Sequence, residues 1–386
     1  MRAECPHSEA IAQWTIPAAL RTWDLRWLGD LIKIGVISIS GSQPARFQGP
    51  YRGFAVMKYS ALGLSLVVLA ALAAPVVLAA ENNSSVGRQV DGFTLKDFRG
   101  AEHSLSDFAD APAVVVAFLG TECPLAKLYG PRLEQLWQKY REQGVAFVGI
   151  NSNRQDSITE VAAHATKHGI TFPMLKDVGN EVADAFGAER TPQMFVLDAE
   201  GVIRYQGRID DQYGFDFGVG YQKPQLTRAD LAEAIDELLA GKEVSVAHTE
   251  AKGCIIGRIR DADENSTVTY SQQIARIFQS RCLECHREGQ VAPFSLESYD
   301  EVAGWGEMIR EVIEEQRMPP WHANPAHGTF ANDLRLSDEE REAVFTWVEN
   351  GCPEGDPADL PEPRQWVEGW QLPEQPDLTA HMQDVT

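Results

Sequence analysis

The sequence predicts an α/β domain followed by a small all-α domain. Three observations carry that expectation. Residues 86–250 alternate apolar β-branched runs with helical patterns and end on two strands and an amphipathic helix. Residues 266–356 read almost entirely as helices, with a C-x-x-C-H motif in the first. Polar, charged linkers precede each region, "ENNSSVGRQ" before the first and "DADENSTVT" before the second.

The 386 residues carry a formal net charge of −22, which argues against a nucleic-acid partner. Six cysteines are too few for a disulfide scaffold of this length, so their positions matter more than their number. Residues 57–80, "MKYSALGLSLVVLAALAAPVVLAA", have the charged start, apolar run and small-residue end of a secretory signal. Residues 1–56 show no periodicity and are read as a disordered extension upstream of the true start at Met57. The segment is either cleaved on export or kept as a membrane anchor. Both readings place the bulk of the chain in the periplasm or otherwise outside the cytoplasm, with membrane contact only if 57–80 is uncleaved.

In chain order, "FTLKDFRGAEHSLSDF" alternates as a hairpin turning at Arg99-Gly100. "AVVVAFLG" is a buried strand. Pro124 suits a first helical turn, and Leu133, Leu136, Trp137 and Tyr140 share a face of the helix that Gly144 ends. "VAFVGIN" is a second buried strand, followed by a helix over "DSITEVAAHATKHG" with an Asp cap. "FPMLKD" is a short strand or loop and "GNEVADAFGA" a short helix. "QMFVLDAEGVIRYQGRI" is two strands around Glu200-Gly201, and "TRADLAEAIDELLAG" is a helix capped by Thr227 and stopped by Gly241. In the second region, helices are expected over "YSQQIARIFQSRCLECH", "SLESYDEVAGWGEMIREVIEEQ" and "LSDEEREAVFTWVENG", the last opened by the capping box Ser337 and Glu340. Residues 357–386 form a Pro-rich acidic tail.

Cys282, Cys285 and His286 have the spacing of covalent c-type haem attachment. Two thiols a helical turn apart meet the two porphyrin vinyl groups, and the adjacent imidazole serves as proximal iron ligand. The second axial ligand is assigned to Met318, held by the two prolines that follow it, with His322, His327 and Met308 as alternatives and Met308 read as core. A disulfide or a zinc site would be the competing readings; no second ligand pair at zinc spacing is present.

"RCLECHREGQVAPFSLESYDEVAGWGEMIREVIEEQRMPPWHANPAHGTF" and its continuation to residue 356 resemble the small cytochrome c-like haem module of exported bacterial redoxin–cytochrome fusions. In longer relatives that module leads into a copper-dependent monooxygenase-like region. The end "GWQLPEQPDL" resembles the beginning of such a region, so the chain is either a shortened version or an independent two-domain form. No copper site is carried over.

Residues 86–241 resemble a thioredoxin-like redoxin of the alkyl hydroperoxide reductase/thiol-specific antioxidant (AhpC/TSA) superfamily, through "AVVVAFLGTECP", "GVAFVGINSN", "FPMLKD" and "RTPQMFVLD". The resemblance implies that Thr191-Pro192 is a cis-proline element beside the redox cysteine. Cys123 lies between a strand and a helix start, where helix N–H groups and Lys127 favour a thiolate and Glu122 opposes it. It is either an activated thiol or a buried structural cysteine. The usual dithiol partner is replaced by Ala126, the C-x-x-x-C position is Lys127, and the peroxidatic threonine is replaced by Gly120. Cys254 is the candidate resolving cysteine, although sequence alone does not bring it to Cys123. Cys352 reads as a helix-end residue with no partner, and Cys5 as outside the mature protein; His103 is isolated; His164 and His168, at i and i+4, are spaced to bind a metal but read first as a solvated helix face. "GRIDDQYGFDFGVG" is an acidic loop without EF-hand spacing.

These readings make the chain an exported redox protein, with a thiol-based oxidoreductase domain tethered to one haem c. Its partners would be a redox protein or a small peroxide or thiol substrate. The alternatives are a non-enzymatic electron carrier with a scaffold redoxin domain, and the electron-entry fragment of a copper monooxygenase-like protein.

Overall fold

The computed structural model describes residues 84–367, apart from 217–218 and 322, and three isolated positions further on. The extension 1–56, the signal at 57–80, Cys5, His322 and most of the tail beyond 367 lie outside the described residues.

The first region is built on a seven-stranded sheet. Its strands are β1 (Thr94–Asp97), β2 (Glu102–Ser104), β3 (Ala113–Phe118), β4 (Ala146–Asn151), β5 (Met174–Lys176), β7 (Gln193–Asp198) and β8 (Ile203–Gly207), in the order β2-β1-β5-β4-β3-β7-β8. Strands β3, β4 and β5 pair in parallel; the other pairings are antiparallel. Parallel neighbours need crossovers. Helix α1 (Pro124–Tyr140) makes the first and α2 (Ile158–Lys167) the second. Helices α3 (Glu181–Phe186) and α4 (Asp230–Leu239) complete the layers.

The central strands are buried along their length, all but Ala146, which is why they read as apolar runs. Successive side chains go to opposite faces. Val115, Ala117, Phe147 and Val196 pack with Leu133, Val161 and Ile235 of α1, α2 and α4. Val114, Val116, Val148 and Phe195 pack with Val182 and Phe186 of α3. A two-residue strand β6 (Arg190–Thr191) lies outside this sheet and pairs antiparallel with β11 (Cys254–Ile255). Between them in sequence, β9 (Tyr213–Asp216) and β10 (Val219–Gln222) form a hairpin from the acidic loop.

The second region contains α5 (Ala275–Arg281), α6 (Tyr299–Gly304), α7 (Gly306–Glu314) and α8 (Asp338–Glu349). Trp347 is fully buried and its indole N–H donates to the Pro353 carbonyl at 2.9 Å. The Phe294 and Trp305 rings stack with centroids 4.3 Å apart. The two regions meet through Arg154, whose guanidinium lies over the Tyr299 ring, and through ion pairs of Arg190 with Glu311 and Arg260 with Glu307.

Several local expectations are corrected. Ser157, not Asp156, caps α2, because the Asp156 carboxylate is used in a buried network. Helix α4 begins at Asp230 with Ala229 at its N-cap, and Thr227 instead binds the Asp211 carboxylate. The first helix of the second region opens with a π-helical turn and ends at Arg281, so Cys282, Cys285 and His286 lie in the turns that follow. The long second helix is two helices broken at Trp305.

Replacing Trp347 by Ala removes the largest fully buried side chain among the described residues and one of the two donors to the Pro353 carbonyl, which keeps the Tyr270 N–H. The expected loss is about 3–5 kcal/mol of unfolding free energy, read by urea denaturation and far-UV circular dichroism. A loss below about 1 kcal/mol would contradict this account of the helical core.

Candidate active site

Cys123 is the N-cap residue of α1, with Pro124 at the first helical position. Extended backbone angles turn the chain from β3 into the helix here, and Pro124 supplies a preset φ without wasting an N–H. The Cys123 side chain has no solvent exposure, and its Sγ donates to the Thr191 carbonyl at 2.9 Å. Thr191-Pro192 is a cis peptide. Gly120 is required by the same crowding. A Cβ there would stand 2.6 Å from Asn153 Nδ2 and 2.9 Å from Thr191 Oγ1. That close approach is why no threonine stands at this position.

The β6–β11 pairing sets Cys254 opposite Thr191, the residue whose carbonyl holds Cys123. The pairing makes the two buried thiols neighbours, and each shifts the titration of the other. Both are free thiols. Gly253 makes the approach feasible: its φ is +142°, and a Cβ would fall 2.1 Å from the Thr191 oxygen.

The pair is electrostatically asymmetric. Burial alone would raise the Cys123 pKa. The Cys254 thiol first, then the Ala126 and Cys254 backbones and the nearby Thr191 side chain, outweigh burial and hold Cys123 down at about 6. The same contact with Cys123, and then burial, drive Cys254 well above it. One sulfur is thus primed as a thiolate and the other as its proton-bearing neighbour. The Thr191 hydroxyl is buried and has no hydrogen-bond partner around the neutral thiol.

A polar network fixes this loop from beneath. Asp156 Oδ2 accepts from the Thr121 N–H at 2.9 Å, from Asn151 at 2.6 Å and from Asn153 at 3.0 Å. Asn153 Oδ1 accepts from the Gly257 N–H at 3.1 Å, tying the β11 segment to the same loop. The Thr121 backbone also favours the charged form of His164, but less than burial opposes it. His164 and His168 are not a solvated face: His164 is buried, their rings lie 4.6 Å apart, and neither Nε2 has a partner. Burial first, then the neighbouring His168, pushes the His164 pKa down to about 4. Asp210 and Asp211, in the acidic loop, are braces rather than free ligands: Asp210 binds Tyr129 and Arg132, and Asp211 binds Thr227, Arg228 and Lys223. His103 pairs with Asp97 at 3.4 Å. Cys352 is buried, and burial pushes it up to about 12.

In the helical region, the Cys285 and His286 N–H groups both donate to the Cys282 carbonyl, at 3.1 and 3.0 Å. His286 Nδ1 lies 3.2 Å from the Phe294 carbonyl. A carbonyl only accepts, so the proton is on Nδ1 and the Nε2 lone pair is left for another partner. Burial pushes the Cys282 thiol up to about 12, opposite to Cys123. Met318 is 41% exposed and precedes a cis bond to Pro319. Met308 points elsewhere, its Sδ accepting from the Ile255 N–H at 3.4 Å. His327 is exposed in a short turn. Among the described residues, no three His, Cys, Asp or Glu side chains are grouped to hold a metal ion, and no helix is long and apolar enough to cross a membrane.

The sequence profile of the AhpC/TSA family matches residues 86–206. Among curated proteins, the thiol-disulfide oxidoreductase ResA of Halalkalibacterium halodurans is 31% identical over 117 residues, covering 30% of this chain and 65% of that protein. The ResA of Geobacillus thermodenitrificans is 30% identical over 120 residues, covering 31% of this chain and 67% of that protein. The chain belongs to the AhpC/TSA family. A solved structure of a hypothetical protein from Sinorhizobium meliloti is 34% identical, covers 46% of this chain and 96% of that one, and superposes with a TM-score of 0.41. The AhpC/TSA domain is thioredoxin-like, with a mixed sheet, and is of the redoxin type. The family match ends at residue 206, well before Cys254.

Sequence reasoning named Cys123 and Cys254 but not Asn153, Asp156 or His164 as supports of the site. The run "NSNRQD" after β4 was the available signal, a polar stretch directly following a buried strand.

Two outcomes test this geometry. Replacing Cys254 by Ala removes the thiol that stabilises the Cys123 anion, so the pH midpoint of Cys123 alkylation is expected to rise; peptide-resolved iodoacetamide kinetics read it. His164 gives a pH signature. The unfolded chain binds its proton at about 6.5 and the folded chain only near 4, so acid favours unfolding between those values. Stability is expected to fall in that window by up to about 1.4 kcal/mol per pH unit, and His164→Gln to flatten that part of the profile. An unchanged profile in denaturant melts would refute the buried neutral imidazole.

Proposed function

We propose that Cys123 and Cys254 form the working dithiol of an exported thiol-disulfide oxidoreductase, tethered to a c-type haem electron-transfer unit. The observation that carries the thiol half is the placement of Cys254 opposite Thr191, where its thiol reaches Cys123. The Cys123 thiolate attacks a substrate disulfide R–S–S–R, the substrate S–S bond breaks, and RS⁻ departs. Cys254 then attacks Cys123, and its proton passes to the second thiolate, which leaves as RSH. The substrate gains two electrons and the protein is left with a Cys123–Cys254 disulfide. Thr191 and the α1 N-terminus favour the thiolate, while the Asn153–Asp156 network holds the loop.

A second reading, a small hydroperoxide as oxidant, is favoured by one observation. The buried Thr191 hydroxyl beside Cys123 has no partner and could donate to a substrate oxygen.

The residues of the helical region fit a covalent haem. Cys282 and Cys285 are free thiols, and His286 has its Nδ1 hydrogen-bonded and its Nε2 available. Cys282 and Cys285 would hold the porphyrin, with His286 and Met318 on the iron. The group would supply one-electron transfer at a raised potential. Phe294 orients the imidazole through its carbonyl and by lying against the ring at 4.9 Å.

Peptide mapping after mild oxidation is expected to yield a 123–254 disulfide, and Cys123→Ser to abolish turnover of oxidised glutathione or hydrogen peroxide. Turnover unaffected by Cys123→Ser would favour a pure electron carrier. A pyridine haemochrome spectrum, on protein expressed with haem-attachment machinery, is expected to show one covalent haem; none would refute the haem half.

A further inference from the structure

The strand that carries Cys254 is held between the two regions. Arg190, in β6, donates from Nη1 to the Gly253 carbonyl at 3.0 Å. The same guanidinium pairs with Glu311 of α7. Glu311 also binds Arg317, just beyond α7, at 2.6 Å. The side chains of Glu311 and Arg317 are only 20% and 16% exposed. On the next residue, the Ile255 N–H meets Met308 Sδ. The groups acting on Cys254 therefore come from three elements: Cys123 at the start of α1, Arg190 in β6 and Arg317 after α7. Glu311 neutralises part of the arginine charge, and Glu315 pairs with Arg317 from the exposed side.

We propose that Glu311 and Arg317 are positioning residues of the thiol site, supplied to it by the helical region. Glu311 fixes both guanidiniums. Arg190 then holds the Cys254 strand in register through Gly253, and Arg317 adds positive charge that eases the proton off Cys254 as it attacks. This rests on the reading of Cys123 and Cys254 as one couple. The step concerned is resolution: Cys254–SH and Cys123–S–S–R become Cys123–S–S–Cys254 and RSH. The S–S bond to R breaks, the new S–S bond forms, and the Cys254 proton passes to the leaving thiolate. No arginine is among the groups that chiefly shift Cys123, so its own first attack is expected to proceed without them. Arg190 and Arg317 oppose the effects of Cys123 and burial on the Cys254 thiol.

The test uses the full chain with oxidised glutathione as probe. Samples are acid-quenched over a pH series and mapped by mass spectrometry, which separates glutathionylated Cys123 from the 123–254 disulfide. Arg317→Gln is expected to leave glutathionylation of Cys123 within about twofold. It is expected to slow decay of the mixed disulfide about fivefold at neutral pH and to move the pH midpoint of that decay upward. Arg317→Lys keeps the charge and is expected to restore most of the rate, which a merely structural role would not predict. Arg317→Gln resolving at the unaltered rate with the unaltered midpoint would overturn the proposal, as would equal loss of both steps without rescue by Lys. If the unaltered chain accumulates glutathionylated Cys123 and never forms the 123–254 bond, the couple itself is wrong and this inference falls with it.

Discussion

The Thr191 carbonyl is the point on which the site depends. It accepts the Cys123 thiol, and its residue is the register partner of Cys254. A two-residue strand pair has little stability of its own. It persists because Gly253 permits close approach, Arg190 grips the Gly253 carbonyl and Asn153 grips the Gly257 N–H. Without that pairing, Cys123 keeps its burial and loses two of the groups that stabilise its anion. Burial would then dominate, and a thiolate would become an inert apolar thiol.

The two cysteine pairs in the chain illustrate how surroundings decide chemistry. Cys123 and Cys254 differ because one receives hydrogen bonds that the other provides. Cys282 is half-buried without such donors, and desolvation pushes it the opposite way. Thiol exchange moves electrons in pairs and haem iron moves them singly, so nearness of the two regions does not by itself couple them. What the inter-region contacts do provide is charge and register: Glu311 and Met308 reach the β6–β11 pair, and Arg317 is joined to it through Glu311.

Much of the fold was legible. The runs 113–118, 146–151 and 193–198 are buried on both faces, all but Ala146, and so carry polar residues only at their ends. The capping box at Ser337 and the turn at Glu200-Gly201 are local chemistry and appeared where the residues placed them. Features decided by distant partners were not legible. Asp156 looks like a helix cap until the Thr121 N–H and the two asparagines claim it. His164 and His168 have the spacing of an exposed face, yet they are packed near Thr121 and Gly130. Cys254 has no sequence feature that ties it to Cys123; only a long-range strand register does so.

That register has a further effect on which molecules can meet Cys123. Strand β6 is two residues long, and at Thr191 β11 already occupies the edge. An extended polypeptide that binds by adding a strand needs such an edge free. Here the chain itself fills the position a guest strand would take, and places its own sulfur there. A visiting molecule must therefore reach the Cys123 sulfur without borrowing the side of β6 that β11 occupies.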